Sequence, residues 1–165
     1  MSAIAQKPDL RRIGESVFTE VVLALLSMPV TVQLAPSHTA LPSAGDQIVS
    51  RVSLASPQLS GGVQVQFPLG FVALAVRRLI GVEGTAQATD ALLDDAAGEL
   101  ANMVAGRVAA QLAAEGFPCK LGTPAVVRGE PPSAINQSDA SRARTDFACE
   151  GHALSVEVHC RYAEP

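Results

Sequence analysis

The sequence predicts an α+β fold: a mostly antiparallel sheet of about six strands with two long helices packed on it. Two stretches have helical periodicity, and short alternating segments separated by Gly, Pro and Ser cluster as hairpins. Hairpin-linked strands with helices outside them give an antiparallel sheet rather than a parallel one. The two halves also share an order of helix, strand, loop and two adjacent strands, which reads as a pseudo-repeat of helix-strand-strand-strand.

The elements follow in order. Residues 1–8 read as a flexible lead-in to one domain spanning 1–165. From Leu10, the apolar positions Ile13, Val17, Phe18, Val21, Val22 and Leu25 recur at helical spacing until Pro29. Val30 to Leu34 alternates as a strand, and the Pro-containing stretch from Ala35 to Gly45 reads as a loop. Ile48–Leu54 and Val63–Phe67 read as two strands joined by a turn at Ser60-Gly61-Gly62. Pro68 opens a shorter helix to about Ile80, closed by Gly81 to Gly84. Thr89 or Asp90 caps the longest helix, which runs to about Glu115 and is stopped by Gly116-Phe117-Pro118. A strand near Cys119–Leu121 leads to Pro124 and the apolar segment Ala125-Val126-Val127. Gly129 to Ser141, rich in Pro, Ser and Asn, reads as a mobile loop. Two strands near Asp146–Glu150 and Ala153–Tyr162 close the chain, and in the last one Leu154, Val156, Val158, Cys160 and Tyr162 share a face.

Composition narrows the function. A length of 165 residues suits one domain, and 48% apolar against 17% charged residues is a globular balance. A net charge of −4 gives no basic surface for phosphates, so a nucleic-acid partner is not expected. Val21–Leu26 is far shorter than the roughly 20 apolar residues a membrane span needs. Three cysteines, Cys119, Cys149 and Cys160, match no disulfide scaffold, and the N-terminus makes a poor secretory signal. Together these predict a cytoplasmic chain without membrane insertion.

The informative stretch is D-A-A-G-E-L-A-N-M-V-A-G-R-V, Asp95 to Val108. At 100° per residue, Leu93, Ala96, Leu100, Met103, Val104 and Val108 fall on one face. Asp95, Glu99, Asn102 and Gly106 form another stripe, which Ala109 and Ala113 extend without bulk. Glu99 and Asn102 are three apart and address a single target, while small neighbours leave room for another protein to approach. An exposed Glu and Asn on a helix are most often a solvated face, so this pair alone is weak evidence. Cys149, His152, His159 and Cys160 invite a zinc reading, yet His159 and Cys160 point to opposite faces of a regular strand and no CxxC is present. No metal site is expected. The pair Gly61-Gly62 lacks the rest of a phosphate loop, and Arg11-Arg12 and Arg77-Arg78 are short solvated pairs.

The run from Asp95 through E-L-A-N-M-V-A-G to L-G-T-P-A-V-V-R-G resembles the signature of the CheC/CheX chemotaxis phosphatases. That signature places Asp or Ser four residues before a Glu, an Asn three after it, and a Pro further on. The matching positions are Asp95, Glu99, Asn102 and Pro124. Between Asn102 and Pro124 stand 21 residues, one fewer than the family pattern, as a deletion near Gly116 would leave. G-G-V-Q-V-Q-F-P-L-G (Gly61 to Gly70) and Leu79-Ile80-Gly81 are similar to the family as well. Two-site members carry E-x-x-N in both long helices. The first helix here has Glu20 but Leu23 at the Asn position, which is similar to CheX rather than CheC.

The resemblance implies a CheC-like fold and a phosphatase for the aspartyl phosphate of a CheY-like response regulator. In that reading Asn102 orients the attacking water and Glu99 pairs with the regulator's active-site Lys. Asp95, Gly106 and Pro124 support docking. No cofactor is expected in this chain, the Mg²⁺ being held by the regulator. A homodimer joined through sheet edges is also implied. The alternative is a non-catalytic module of the same fold that binds a receiver domain or a flagellar-switch component.

Overall fold

A computed structural model describes residues 6–33, 46–81, 88–129 and 141–163. The elements are α1 (Leu10–Leu26), β1 (Thr31–Gln33), β2 (Gln47–Ala55), β3 (Leu59–Pro68), α2 (Leu69–Ile80), α3 (Asp90–Ala114), β4 (Lys120–Leu121), β5 (Ala125–Arg128), β6 (Ser141–Cys149) and β7 (His152–Tyr162). The strands form one seven-stranded antiparallel sheet in the order β1-β6-β7-β3-β2-β4, with β5 also pairing to β2. The seventh strand is the segment Ala125-Val126-Val127, which extends through Arg128 and pairs with β2 in its own right. Of the expected lead-in and loops, residues 1–5, 34–45 and 130–140 lie outside the described residues.

The helix ends follow local chemistry. Asp9 caps α1, its Oδ1 accepting from the N–H groups of Arg11 and Arg12 at 3.1 Å. Pro68 precedes the first turn of α2, whose end is closed by Gly81 in the left-handed region at φ +70. Thr89 Oγ1 accepts from Leu92 N–H at 3.3 Å to start α3. Three helices therefore cover the sheet, two long and one short.

Strand β6 departs from expectation, starting at Ser141 instead of near Asp146, and so does the hairpin between β2 and β3. Its turn is at Ser56–Leu59, where Ser56 Oγ accepts from the N–H groups of Gln58 and Leu59. Gly61 and Gly62 lie inside β3 instead. A Cβ on Gly61 would stand 2.0 Å from the His159 carbonyl oxygen, and one on Gly62 3.0 Å from that of Val52. Here glycine serves close approach between strands rather than turning the chain.

Swapping β1, β2 and β3 for β5, β6 and β7 returns the same strand order read backwards. The helices obey the same exchange: α1 packs on β6 and β7, α3 on β2 and β3. The pseudo-repeat is thus a pseudo-twofold of the sheet, with its seam where β3 pairs with β7. Between sheet and helices lies a core rich in aliphatic side chains, with Phe18 of α1 against Phe147 of β6 at 4.5 Å between ring centroids.

Candidate functional site

Helix α3 is wedged against the sheet and both other helices. It buries Leu93, Leu100, Val104, Val108 and Leu112, together with the small row Ala97, Ala101, Ala105 and Ala109. The small row lets α3 sit deep, and burying it turns Met103 outward. Met103 is 41% exposed, not part of the core face its spacing suggested. Ala109 joins the core, whereas Ala113 stays exposed.

What remains outside is the stripe of interest. Asp95 and Glu99 are exposed, while Asn102 and Gly106 are half-buried. The side chains of Asp95, Glu99 and Asn102 form no hydrogen bond or ion pair with another described residue. A carboxylate and a carboxamide one turn apart, without partners among the described residues, can address groups on another molecule.

Residues 121–128 run alongside this stripe in the opposite direction. A Cβ on Gly98 would lie 3.4 Å from Val126 Cγ2 and 3.8 Å from Pro124 Cβ. A Cβ on Gly106 would lie 3.8 Å from Leu121 Cδ1. Asn102 is one turn from each glycine, so its position on the helix falls between these two contacts. Gly122 is held to β2 by its N–H donating to the Ser53 carbonyl at 2.9 Å. A side chain there would meet the Ser53 hydroxyl, so the connection from β4 to β5 runs close over β2. Pro124 therefore belongs to the wall beside the stripe, next to Gly98.

Sequence reasoning missed the group that ties this wall to the helix. Arg128 Nε donates to Asp94 Oδ1 at 2.8 Å, Nη1 to Asp90 Oδ1 at 3.0 Å, and Nη2 to the Asp90 carbonyl at 2.8 Å. The hydrogen bond to Asp94 raises the guanidinium pKa and outweighs the lowering by burial, with the Asp94 and Asp90 charges adding to the rise. The available signal was two aspartates four apart on α3 and an Arg ending the apolar segment, but nothing local links them.

The zinc reading finds no support in the fold. Cys149 and Cys160 are buried in the core, and burial pushes the Cys160 thiol pKa up to about 11. His159 lies on the opposite face of β7. Among the described residues no group of three or more His, Cys, Asp or Glu side chains is arranged to hold a metal ion. Nor is any helix among them long and apolar enough to cross a membrane.

Solved CheX and CheC-like structures share this fold. CheX from Vibrio vulnificus superposes with a TM-score of 0.75 at 19% identity, covering 93% of this chain and 97% of that one. CheX from Borrelia burgdorferi, solved as a complex with CheY, BeF3 and Mg²⁺, gives 0.67 at 16% identity, over 94% and 99%. FliY from Thermotoga maritima gives 0.59 at 17%, over 97% and 93%. No curated protein matches the chain in sequence. The family model for the chemotaxis phosphatase CheX matches residues 48–148, which include all of α3 and the 121–128 wall. The chain belongs to the CheX family.

Proposed function

We propose that this protein hydrolyses the aspartyl phosphate of a CheY-like response regulator, using Glu99 and Asn102 of α3. The observation that carries the reading is the pair itself: both side chains lack partners among the described residues, beside the half-buried Gly106. Membership of the CheX family and the CheX–CheY complex of the Borrelia relative support the same reaction and partner.

An aspartyl phosphate is an acyl phosphate, and catalysis of its hydrolysis is largely positioning and charge stabilisation. The regulator carries its own Mg²⁺ and lysine, and this chain supplies what is missing. The Asn102 carboxamide both accepts and donates, so it holds a water in line with the bond to be broken. Water oxygen bonds to phosphorus, the bond to the aspartyl oxygen breaks, and inorganic phosphate leaves with the regulator's carboxylate restored. Glu99 pairs with the regulator's lysine and sets the helix in register. Asp95, Gly106 and Pro124 support docking around that pair. A homodimer goes with this reading: β1 at one end of the sheet and the β4/β5 pair at the other are its edge strands.

The test is phosphate release from a panel of phosphorylated receiver domains, with wild type and Asn102→Ala compared. Acceleration by wild type that Asn102→Ala removes supports the proposal and identifies the substrate. Binding of a receiver without acceleration would replace it with the docking-module reading.

A further inference from the structure

We infer that Arg128 is the positioning residue of this site: by gripping Asp90 and Asp94 it holds residues 121–128 against α3 as the second wall of the regulator-docking surface. The inference rests on the proposed function for its kinetic readout and on geometry for the rest.

The two walls are anchored very differently. Helix α3 is fixed by its row of core side chains from Leu93 to Leu112. The facing segment is anchored more lightly: no residue of β4 or β5 is fully buried, and from it Val126, half-buried, packs against the core. Each is a short strand at the sheet edge on β2, and the connection between them is tied back through Gly122. With one half-buried side chain and the pairing to β2 holding the segment, polar contacts to α3 add to its placement. Arg128 supplies three, from one planar fork to a carboxylate on each of two successive helical turns and to a backbone carbonyl. Lysine cannot reproduce that fork.

The same strand face carries the consequence. Val126 and Arg128 alternate onto the helix side of β5, so the grip on Asp90 and Asp94 also seats Val126 and Pro124 against Gly98. Gly98 directly precedes Glu99. Releasing Arg128 leaves Asn102 where the core holds it but frees the wall beside it. Docking suffers, and the chemical step does not.

The experiment uses the full chain with Arg128→Met, Arg128→Lys and the exchanged pair Arg128→Asp with Asp94→Arg. In phosphate release, Arg128→Met is expected to raise KM for the phosphorylated receiver about five- to tenfold, on the scale of a multi-contact ion pair, with kcat within about twofold. Arg128→Lys falls between, and the exchanged pair recovers most of the loss. Hydrogen exchange is expected to quicken at amides 122–128 in Arg128→Met and to stay unchanged along the buried face of α3. An unchanged KM, or a kcat that falls as much as KM rises, overturns the inference. Should wild type prove inactive, the proposed function fails separately. Receiver affinity then replaces KM, and unchanged exchange at 122–128 still overturns the grip.

Discussion

Helices α1 and α3 hold equivalent places in the pseudo-twofold, yet their outer surfaces are built for different ends. They lie antiparallel, bridged by Arg12 to Glu115 at 2.6 Å and Glu20 to Arg107 at 3.5 Å. Matching Glu20 to Glu99 matches Leu23 to Asn102. Glu20 is drawn onto Arg107 of the neighbouring helix, whereas Glu99 pairs with no described residue. Leu23 is an apolar side chain 54% exposed, where Asn102 is polar and half-buried. One turn-pair nearer the N-terminus, Arg11 and Glu15 satisfy each other at 3.1 Å, while Asp90 and Asp94 reach out to Arg128. Both helices bury comparable rows of side chains, so the frame is shared. What separates them is surface chemistry at the matched positions: Glu20 of α1 is paired and Leu23 apolar, whereas the Glu99 and Asn102 side chains of α3 have no partner among the described residues.

The sharpest way to break this comparison is to substitute matched positions. Asn102→Ala is expected to lower kcat for phosphate release by about 10²–10³, as for loss of one positioned polar group. Leu23→Ala should leave kcat within about twofold under the same saturating conditions. Equal losses would mean that the two helices contribute alike.

The seam between the halves gives the next largest effect. Gly61→Ala forces a methyl group against the His159 carbonyl, at a point where β3 can shift only by disturbing β7. A loss of about 2–3 kcal/mol is expected in denaturant unfolding, the upper range for overpacking. A loss below about 0.5 kcal/mol, the size of an ordinary surface change, would show that the two halves slide freely there.

A smaller effect separates the two glutamates. Glu99→Ala should weaken affinity for an activated receiver about tenfold, or about 1.4 kcal/mol, and Glu20→Ala should not change it. Calorimetric titration of both variants checks this, and unchanged affinity for Glu99→Ala would remove the ion-pair role.

The smallest is a pH dependence at the seam. Burial lowers the His159 pKa, with Glu157 opposing and Arg142 and Arg51 adding to the effect, and its Nδ1 has no hydrogen-bond partner among the described residues. A histidine with a depressed folded pKa contributes full stability above the ordinary value of about 6.5. That contribution is lost as pH falls below it, because the unfolded chain takes up the proton first. His159→Gln should flatten the fall in unfolding midpoint between neutral and mildly acidic pH. An unaltered slope would assign the acid sensitivity elsewhere.

Much of this was legible in the sequence because it is written locally. Pro29, Pro68 and Gly116 mark helix ends, alternation marks β7, and the stripe Asp95, Glu99, Asn102 follows from helical period alone. Other features were hidden because they depend on neighbours distant in the chain. Gly61-Gly62 has the composition of a turn, and only the pairing with β7 reveals why side chains are excluded there. Met103 has the spacing of a core residue, but the alanine row decides which way α3 rolls. Arg128 and its aspartates lie 34 and 38 positions apart, beyond any periodicity.

The account's central claim is that one helix of the pseudo-twofold pair is the working face, and a binding footprint tests it most directly. Backbone amide shifts of the full chain would be followed by NMR as a receiver locked with a phosphoryl mimic is added. Changes are expected at 95–106 and 121–128, with 13–27 of α1 silent. Perturbation centred on α1 around Leu23 would contradict the account.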